Sequence, residues 1–99
     1  MTRPTLRTAD RRALRPDECR AIVAIAAYRI KHGRGPSWRA VGRAVGWKPP
    51  ELRDRLHPLQ RAGLVRFTLW EPGSLDVTPE APTIALRRLR ELRELGERL

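Results

Sequence analysis

Apolar residues recur at helical spacing over much of the chain, beginning with a segment from Pro16 to His32. Its predicted buried stripe consists of Ile22, Ile25, Ala26 and Ile30. The rest of this segment is also rich in alanine and valine, which is typical of a helix packed between other elements or against a partner. Two glycines and Pro36 follow, and they predict the end of the helix.

Two shorter helices are predicted next, separated by Gly46. Ser37 is a good N-cap for a helix from Trp38 to about Val45. The third helix is predicted from Pro49 or Pro50 to residue 62, with Leu52, Leu56 and Leu59 on its buried side. Pro58 lies inside this segment and predicts a kink in the last turn, but the leucine period continues across it.

After Gly63 the helical spacing is replaced by a β-branched and aromatic run. Residues 64–70 predict a strand, residues 71–74 a turn, and residues 75–78 a returning strand. A last helix is predicted to begin between residues 79 and 83 and to include Ile84–Leu99. A hairpin of this size needs a helical layer to pack on. We therefore expect a mainly α fold with a small β-hairpin.

The charge of the chain indicates a polyanionic partner. Lysine and arginine number 21 against 11 acidic residues, so the net charge is +10. No acidic residue occurs between Glu18 and Glu51, whereas seven basic residues do, and this stretch should present a positive face. Nucleic acid is the commonest polyanion for such a chain. A GC-rich genome, which favours arginine codons, is the alternative explanation.

Other classes of protein have little support in the sequence. Cys19 is the only cysteine, and His32 and His57 are isolated, so neither a disulfide nor a metal pattern is present. No nucleophile–base pair, carboxylate pair or glycine-rich phosphate loop is present, and no apolar run approaches the roughly 20 residues that span a membrane. We expect a cytoplasmic protein that is not an enzyme and has no cofactor, metal, membrane or small-molecule ligand.

Three segments resemble parts of known DNA-binding families. Residues 36–47, PSWRAVGRAVGW, resemble the P-S/T-x-x-x-I-A-x-x-L-G-F/W segment of LexA-type DNA-binding domains. Residues 56–65, LHPLQRAGLV, are similar to the L-x-x-L-x-x-x-G-L-V/I signature of LexA, MarR and PadR-like regulators. Residues 75–81, LDVTPEA, resemble the L-x-L/V-T-x-x-G with which the wing ends in MarR and PadR-like chains.

The resemblance implies a winged helix-turn-helix domain over residues 16–81, with a three-helix core and a two-stranded wing. Residues 1–15 are then a flexible basic arm, with a short extra helix as the alternative, and residues 82–99 form a C-terminal helix. The chain departs from the LexA pattern in two places. The turn before the third helix is about one residue shorter, and Lys48 replaces a serine-like cap.

The resemblance implies that helix 49–62 enters the major groove of double-stranded DNA. Arg53 is expected to donate to guanine, and Glu51 or Asp54 to accept from cytosine. Arg39 and Arg43 of the second helix are better suited to phosphates. The expected DNA-binding residues are Ser37, Arg39, Arg43, Lys48, Glu51, Arg53, Asp54, His57, Arg61 and Arg66.

Several of these residues have alternative interpretations. Asp54 can instead form a salt bridge that positions an arginine, and His57 can be a solvated side chain with no partner. Trp38 is expected to pack rather than to contact the sugar-phosphate backbone, and Trp47 is expected in the core. Trp70 remains open among packing on the last helix, meeting a partner, and lying along a minor-groove edge.

The function implied is a DNA-binding transcriptional regulator, for example a phage or plasmid repressor. One alternative is a winged-helix protein-interaction module, such as a phage factor that binds a host protein. Another is an architectural replication or excision factor. A homodimer through Ile84–Leu99 is expected, because two reading heads double the contacted sequence. The alternative for this helix is packing against the first helix of its own chain.

Overall fold

The structure, a computed structural model, describes residues 14–98. The expected basic arm lies outside these residues except for Leu14 and Arg15, and Leu14 is buried in the core. The described chain is mainly helical with one two-stranded antiparallel hairpin, which confirms this part of the expected fold class. Its elements in chain order are α1 (Pro16–His32), α2 (Trp38–Val45), α3 (Pro49–Arg61), β1 (Val65–Arg66), β2 (Asp76–Val77) and α4 (Ala81–Arg98).

Helices α1 and α3 begin in the same way, with a proline in the first turn and a glutamate three residues after the N-cap. The backbone N–H of Arg15 donates to Glu18 Oε1 over 2.9 Å. The backbone N–H of Lys48 donates to Glu51 Oε1 over the same distance. Each glutamate satisfies a donor at the helix start and places a negative charge at the positive end of the helix dipole.

The expected apolar stripe of α1 is correct only for its first part. Ile22 and Ile25 are fully buried and Ala26 is half-buried, but Ile30 is 87% exposed. The prediction for Ile30 is therefore wrong. Among residues 14–98, no element covers this side of the last turn, because the rest of the core lies against the preceding turns of α1.

Helix α3 buries the three leucines that the sequence indicated. Leu52, Leu56 and Leu59 are at most 5% exposed, and the helix continues through Pro58 to Arg61. The other large, fully buried side chains lie in α1, α2 and β1 and just before each strand, and they are Cys19, Ile22, Ile25, Val41, Leu64, Val65 and Leu75.

The hairpin is shorter than expected, because side chains replace the strand ladder after Arg66. Only Val65↔Val77 and Arg66↔Asp76 are paired. Beyond them, the Phe67 backbone N–H donates to the Gln60 side chain over 2.8 Å. The next residue, Thr68, exchanges two 3.0 Å hydrogen bonds with the Ser74 hydroxyl. The predicted strand over residues 64–70 is therefore reduced to two residues.

Helix α4 packs along α1 of the same chain. Ala81 and Ala85 are fully buried in the common core, and Ile84 and Leu89 pack against it. The expected dimer element, Ile84–Leu99, includes Ile84, Ala85 and Leu89, so these three residues are already used within the chain. Packing on the first helix, which was the alternative, holds for the N-terminal half of α4.

Candidate nucleic-acid interface

The turn between α2 and α3 is fixed by two glycines. Gly46 adopts a left-handed backbone with φ of 85°, and its N–H and that of Trp47 both donate to the Gly42 carbonyl, over 2.7 and 2.9 Å. A Cβ on Gly42 would lie 2.6 Å from the Trp47 carbonyl oxygen, closer than real Cβ atoms approach. The close approach of α2 to this turn therefore requires glycine at residue 42.

Trp47 is buried, as expected, and connects this turn to α1. Its indole Nε1 donates to Asp17 Oδ2 over 2.9 Å. Burial, the largest single effect, raises the pKa of the Asp17 carboxyl, and the hydrogen bonds from Trp47 and from the Glu18 backbone lower it. The charges of Arg55 and Arg15 act in the same direction, so the pKa of Asp17 lies below its ordinary value of 3.8.

The outward face of α3 forms a groove of about 390 Å³, here called the α3 groove. Four of the expected DNA-binding residues line it together, with Pro58 and Leu69 beside them, and these four are Arg53, Asp54, His57 and Arg61. Three of the four are exposed, and His57 is half-buried. The groove thus presents donors and an acceptor along one side of a helix.

A second groove of about 320 Å³, here called the α2 groove, lies between α2 and the start of α3. It brings together the cations Arg39, Arg43 and Lys48, which are all exposed. Ser37 lies at the start of α2, where its Oγ accepts the backbone N–H of Ala40 over 3.0 Å. The expected N-cap is confirmed, and it leaves the earlier amides of α2 facing outward.

The cations of the two grooves form no ion pair within residues 14–98. This holds for Arg39, Arg43, Lys48, Arg53 and Arg61. Asp54 likewise has no salt bridge among the described residues, so the alternative role suggested for it is not observed there. Exposed cations without acidic partners retain their full charge for an external anion.

Two expected site residues are engaged elsewhere. Glu51 accepts the Lys48 backbone N–H, so part of its carboxylate serves the start of α3. Arg66 lies on β1, where its guanidinium is 3.7 Å from Asp76 Oδ2. Its side chain is nevertheless exposed, and it lines neither of the two grooves.

His57 is part of an aromatic cluster rather than a free surface residue. Its ring centroid lies 5.2 Å from that of Phe67 and 6.3 Å from that of Trp38, both in edge-on geometry. Trp38 and Phe67 are themselves 5.1 Å apart. Trp38 therefore packs against other side chains, as expected. The cluster connects α3 to α2 and to the segment after β1.

The sequence did not indicate how the hairpin tip is anchored. The guanidinium of Arg29 donates to the Gly73 carbonyl over 3.3 Å and lies 3.5 Å from Asp76 Oδ2. The Gly35 N–H donates to the same carbonyl over 3.0 Å. Arg29 lies in the acid-free stretch, but its partners are more than 40 residues away along the chain, so only the folded chain reveals this role.

Trp70 is 94% exposed and has a left-handed backbone with φ of 65°. It contacts neither the last helix nor the core, which excludes packing on α4 among the three interpretations. No signal in the sequence distinguishes this arrangement, because a tryptophan beside a turn is compatible with burial as well.

Other kinds of site have little support in residues 14–98. No three side chains of histidine, cysteine, aspartate or glutamate lie close enough together to hold a metal ion. Burial raises the pKa of the Cys19 thiol to about 11, so the thiol stays protonated at neutral pH. No helix in this part of the chain is both long and apolar enough to cross a membrane.

Comparisons with known proteins add no relative. No protein-family model, no curated protein sequence and no solved structure matches the chain.

Proposed function

We propose that this protein is a winged helix-turn-helix DNA-binding protein that reads the major groove with α3. Helices α1–α3 correspond to the three-helix core, and the hairpin corresponds to the wing. The observation that carries the proposal is the set of five cations in the α2 and α3 grooves that form no ion pair in the described part of the chain. They lie on two consecutive helices, where a sugar-phosphate backbone and a base edge can be contacted together.

The dimensions of α3 suit this role. Thirteen residues give a helix about 20 Å long, and a helix with its side chains is as wide as the roughly 12 Å major groove. The residues of the α3 groove face away from the leucines that attach α3 to the core. They can therefore reach base edges while the domain stays outside the groove.

The structure supports a division of labour between the two grooves. Arg53 stands in the first half of α3 and is assigned to a guanine, where a guanidinium can donate two hydrogen bonds. Asp54, which has no salt bridge in the described chain, is the better acceptor for cytosine, because Glu51 is engaged at the start of α3. Arg39, Arg43 and Lys48 are assigned to phosphates.

Within this class, the proposed role is that of a transcriptional regulator, for example a repressor. A domain whose reading helix is held in the major groove can regulate transcription by occupying its site. The regulator role follows from the sequence resemblance, and the DNA-binding role follows from the grooves as well.

Salt dependence tests the proposal directly. Binding of the full chain to a mixed-sequence duplex is measured by fluorescence anisotropy from about 50 to 200 mM salt. Each phosphate contact contributes about one to the slope of log affinity against log salt. The triple variant Arg39→Ala, Arg43→Ala, Lys48→Ala should therefore reduce the slope by about 2–3.

A matched control removes the same charge from α4. Arg87→Ala, Arg90→Ala, Arg93→Ala deletes three exposed arginines that form no ion pair within residues 14–98. Its slope should stay within about half a unit of the wild-type slope. If the two triple variants behave alike, binding reflects net charge only, and the proposed interface is wrong. If no duplex binding is found at low salt, DNA is not the partner.

A further inference from the structure

The tip of the hairpin holds an exposed aromatic ring in an unfavourable backbone conformation. The φ of Trp70 lies in the left-handed region, which costs energy for every residue with a side chain. A backbone N–H of Glu71 donates to the Thr68 carbonyl over 3.2 Å, so Trp70 occupies the third position of a tight turn. Glycine is the usual residue at this position of the turn. In this chain the position holds tryptophan, the largest side chain, and that side chain is almost fully exposed.

The tip is held on both sides, so the position of the ring is defined by the fold. Ser74 clamps Thr68 through the two hydrogen bonds of its hydroxyl. The Gly73 carbonyl accepts from Gly35 and from Arg29. Strain that is retained in an anchored segment indicates a functional constraint on that segment.

A groove of about 450 Å³, here called the tip groove, separates this ring from the start of α2. Its walls are mostly apolar and include Pro36, Trp38, Leu69, Trp70 and Pro72, and the charged residues Arg53 and Glu71 also line it. Arg53 also lines the α3 groove. The tip groove is thus continuous with the surface assigned above to DNA.

We propose that the tip groove receives one unpaired base of the bound DNA, stacked on the indole of Trp70. This inference rests on the proposed DNA-binding function and extends it to the form of DNA. A mostly apolar cleft suits a nucleobase, since every base has an aromatic face. The cations along the α2 groove suit the phosphates beside that base, while Arg53 stays assigned to its guanine. The preferred ligand is therefore a duplex with a bulged or extruded base.

The test compares two duplexes of equal sequence, one fully paired and one with a single-base bulge. Stacking of one base on an aromatic ring corresponds to about 5- to 150-fold in affinity, so the wild-type chain should prefer the bulged duplex by a factor in this range. Trp70→Gly should reduce the ratio of the two affinities to about one, and Trp70→Phe should keep part of it. The ratio is insensitive to any general loss of affinity.

Two features keep this test free of folding artefacts. Glycine suits the φ of residue 70, so Trp70→Gly is not expected to unfold the chain. Leu86→Ala, which removes an exposed apolar side chain from α4, is the control and should keep the wild-type ratio.

In addition, 2-aminopurine placed in the bulge should lose fluorescence when wild-type protein binds, because it stacks on an aromatic ring.

The outcomes separate the two proposals. If the wild-type chain binds both duplexes equally, or the 2-aminopurine signal does not change on binding, the tip groove does not hold a base while DNA binding stands. If Trp70→Gly keeps the preference, another surface recognises the bulge. If neither duplex is bound at low salt, the DNA-binding function fails, and this inference fails with it.

Discussion

Asp17 connects the first turn of α1 to the beginning of α3 through a single side chain. It accepts from the Trp47 indole and lies 3.7 Å from the Arg15 guanidinium. Arg55 of α3 lies 5.9 Å from the centre of the same indole. This contact stabilises the α2–α3 turn against α1, and the orientation of α3 depends on it.

The lowered pKa of Asp17 predicts a pH-dependent contribution to stability. Since the folded state favours the carboxylate, the contribution is present above the ordinary pKa of 3.8 and is lost as the pH falls through the lower folded value. At pH 7, Asp17→Asn should reduce the free energy of unfolding by about 1–3 kcal/mol. Urea denaturation at pH 7 and at pH 3 measures the effect, which should shrink at the lower pH.

The control for this prediction is Asp54→Asn, which removes an exposed carboxylate without an ion pair in residues 14–98. It should change stability by less than about 0.5 kcal/mol at either pH. Equal effects of the two substitutions would show that the negative charge of Asp17 contributes nothing measurable, because asparagine keeps an oxygen that can accept the Trp47 indole N–H.

Gly35 is the glycine on which the position of the hairpin most depends. A Cβ there would overlap the Leu75 carbonyl group, so Gly35→Ala requires the backbone to move. We expect a loss of about 2–4 kcal/mol in unfolding free energy by thermal or urea denaturation. Gly96→Ala is the matched control: an added Cβ meets nothing within 4 Å, and alanine in a helix should stabilise by up to about 1 kcal/mol. Equal stability of Gly35→Ala and wild type would contradict this close approach.

At the scale of single residues, the sequence predicted the positions that local chemistry determines. Ser37 caps α2 because its hydroxyl is next to a free amide, and the leucines of α3 follow one helical period. Ile30 was assigned wrongly because its burial depends on other parts of the chain. The role of Glu51 at the start of α3 was not predicted, although its contact with Lys48 is local. The burial of an apolar residue in α1 depends on where α4 and the hairpin end. No local sequence pattern indicates those end points.

At the scale of elements, the three helices of the core could be predicted and the extent of the hairpin could not. The helices have aliphatic residues at helical spacing, good residues at their starts, and glycines after their ends. The hairpin has a β-branched run, but Gln60 and Ser74 accept or donate the hydrogen bonds that a longer ladder would have used. These two side chains are polar residues of ordinary type, so the sequence contains no signal for this substitution.

If α3 contacts the base edges, as proposed, substitutions of Arg53 and Arg43 should affect DNA affinity differently. Arg53→Ala should weaken binding to the specific site by about 1–3 kcal/mol and leave random duplex nearly unaffected. Arg43→Ala should weaken binding to both by a similar factor, because a phosphate contact carries no base information. The specific site is first obtained by selection from random duplexes. If Arg53→Ala affects both duplexes equally, α3 is not the reading helix.

At the scale of the whole molecule, the position of α4 changes the expectation for assembly. Its first half belongs to the core of its own chain, so only the rest of its surface is available to a second copy. Leu86 and Leu95 are both about half exposed, but nine residues at 100° per residue place them on opposite sides of the helix. These two leucines therefore cannot belong to a single continuous dimer interface along α4.

The homodimer through Ile84–Leu99 remains a prediction, and the C-terminal half of α4 is where it can form. Light scattering of the full chain at high micromolar concentration should give twice the monomer mass of 11.4 kDa. Leu95→Lys should shift the mass toward the monomer, because a charge would be buried in the interface, while Leu86→Lys serves as the control on the other side. A monomeric full chain would show that α4 serves only the core.

The central claim is that double-stranded DNA binds across the α2 and α3 grooves. Amide chemical-shift mapping of the isotope-labelled full chain, titrated with duplex at low salt, tests this claim residue by residue. We expect the largest changes in residues 37–61 and around the hairpin tip, and little change on the exposed side of α4. Changes centred on α4 or on the last turn of α1, or no changes at all, would contradict it.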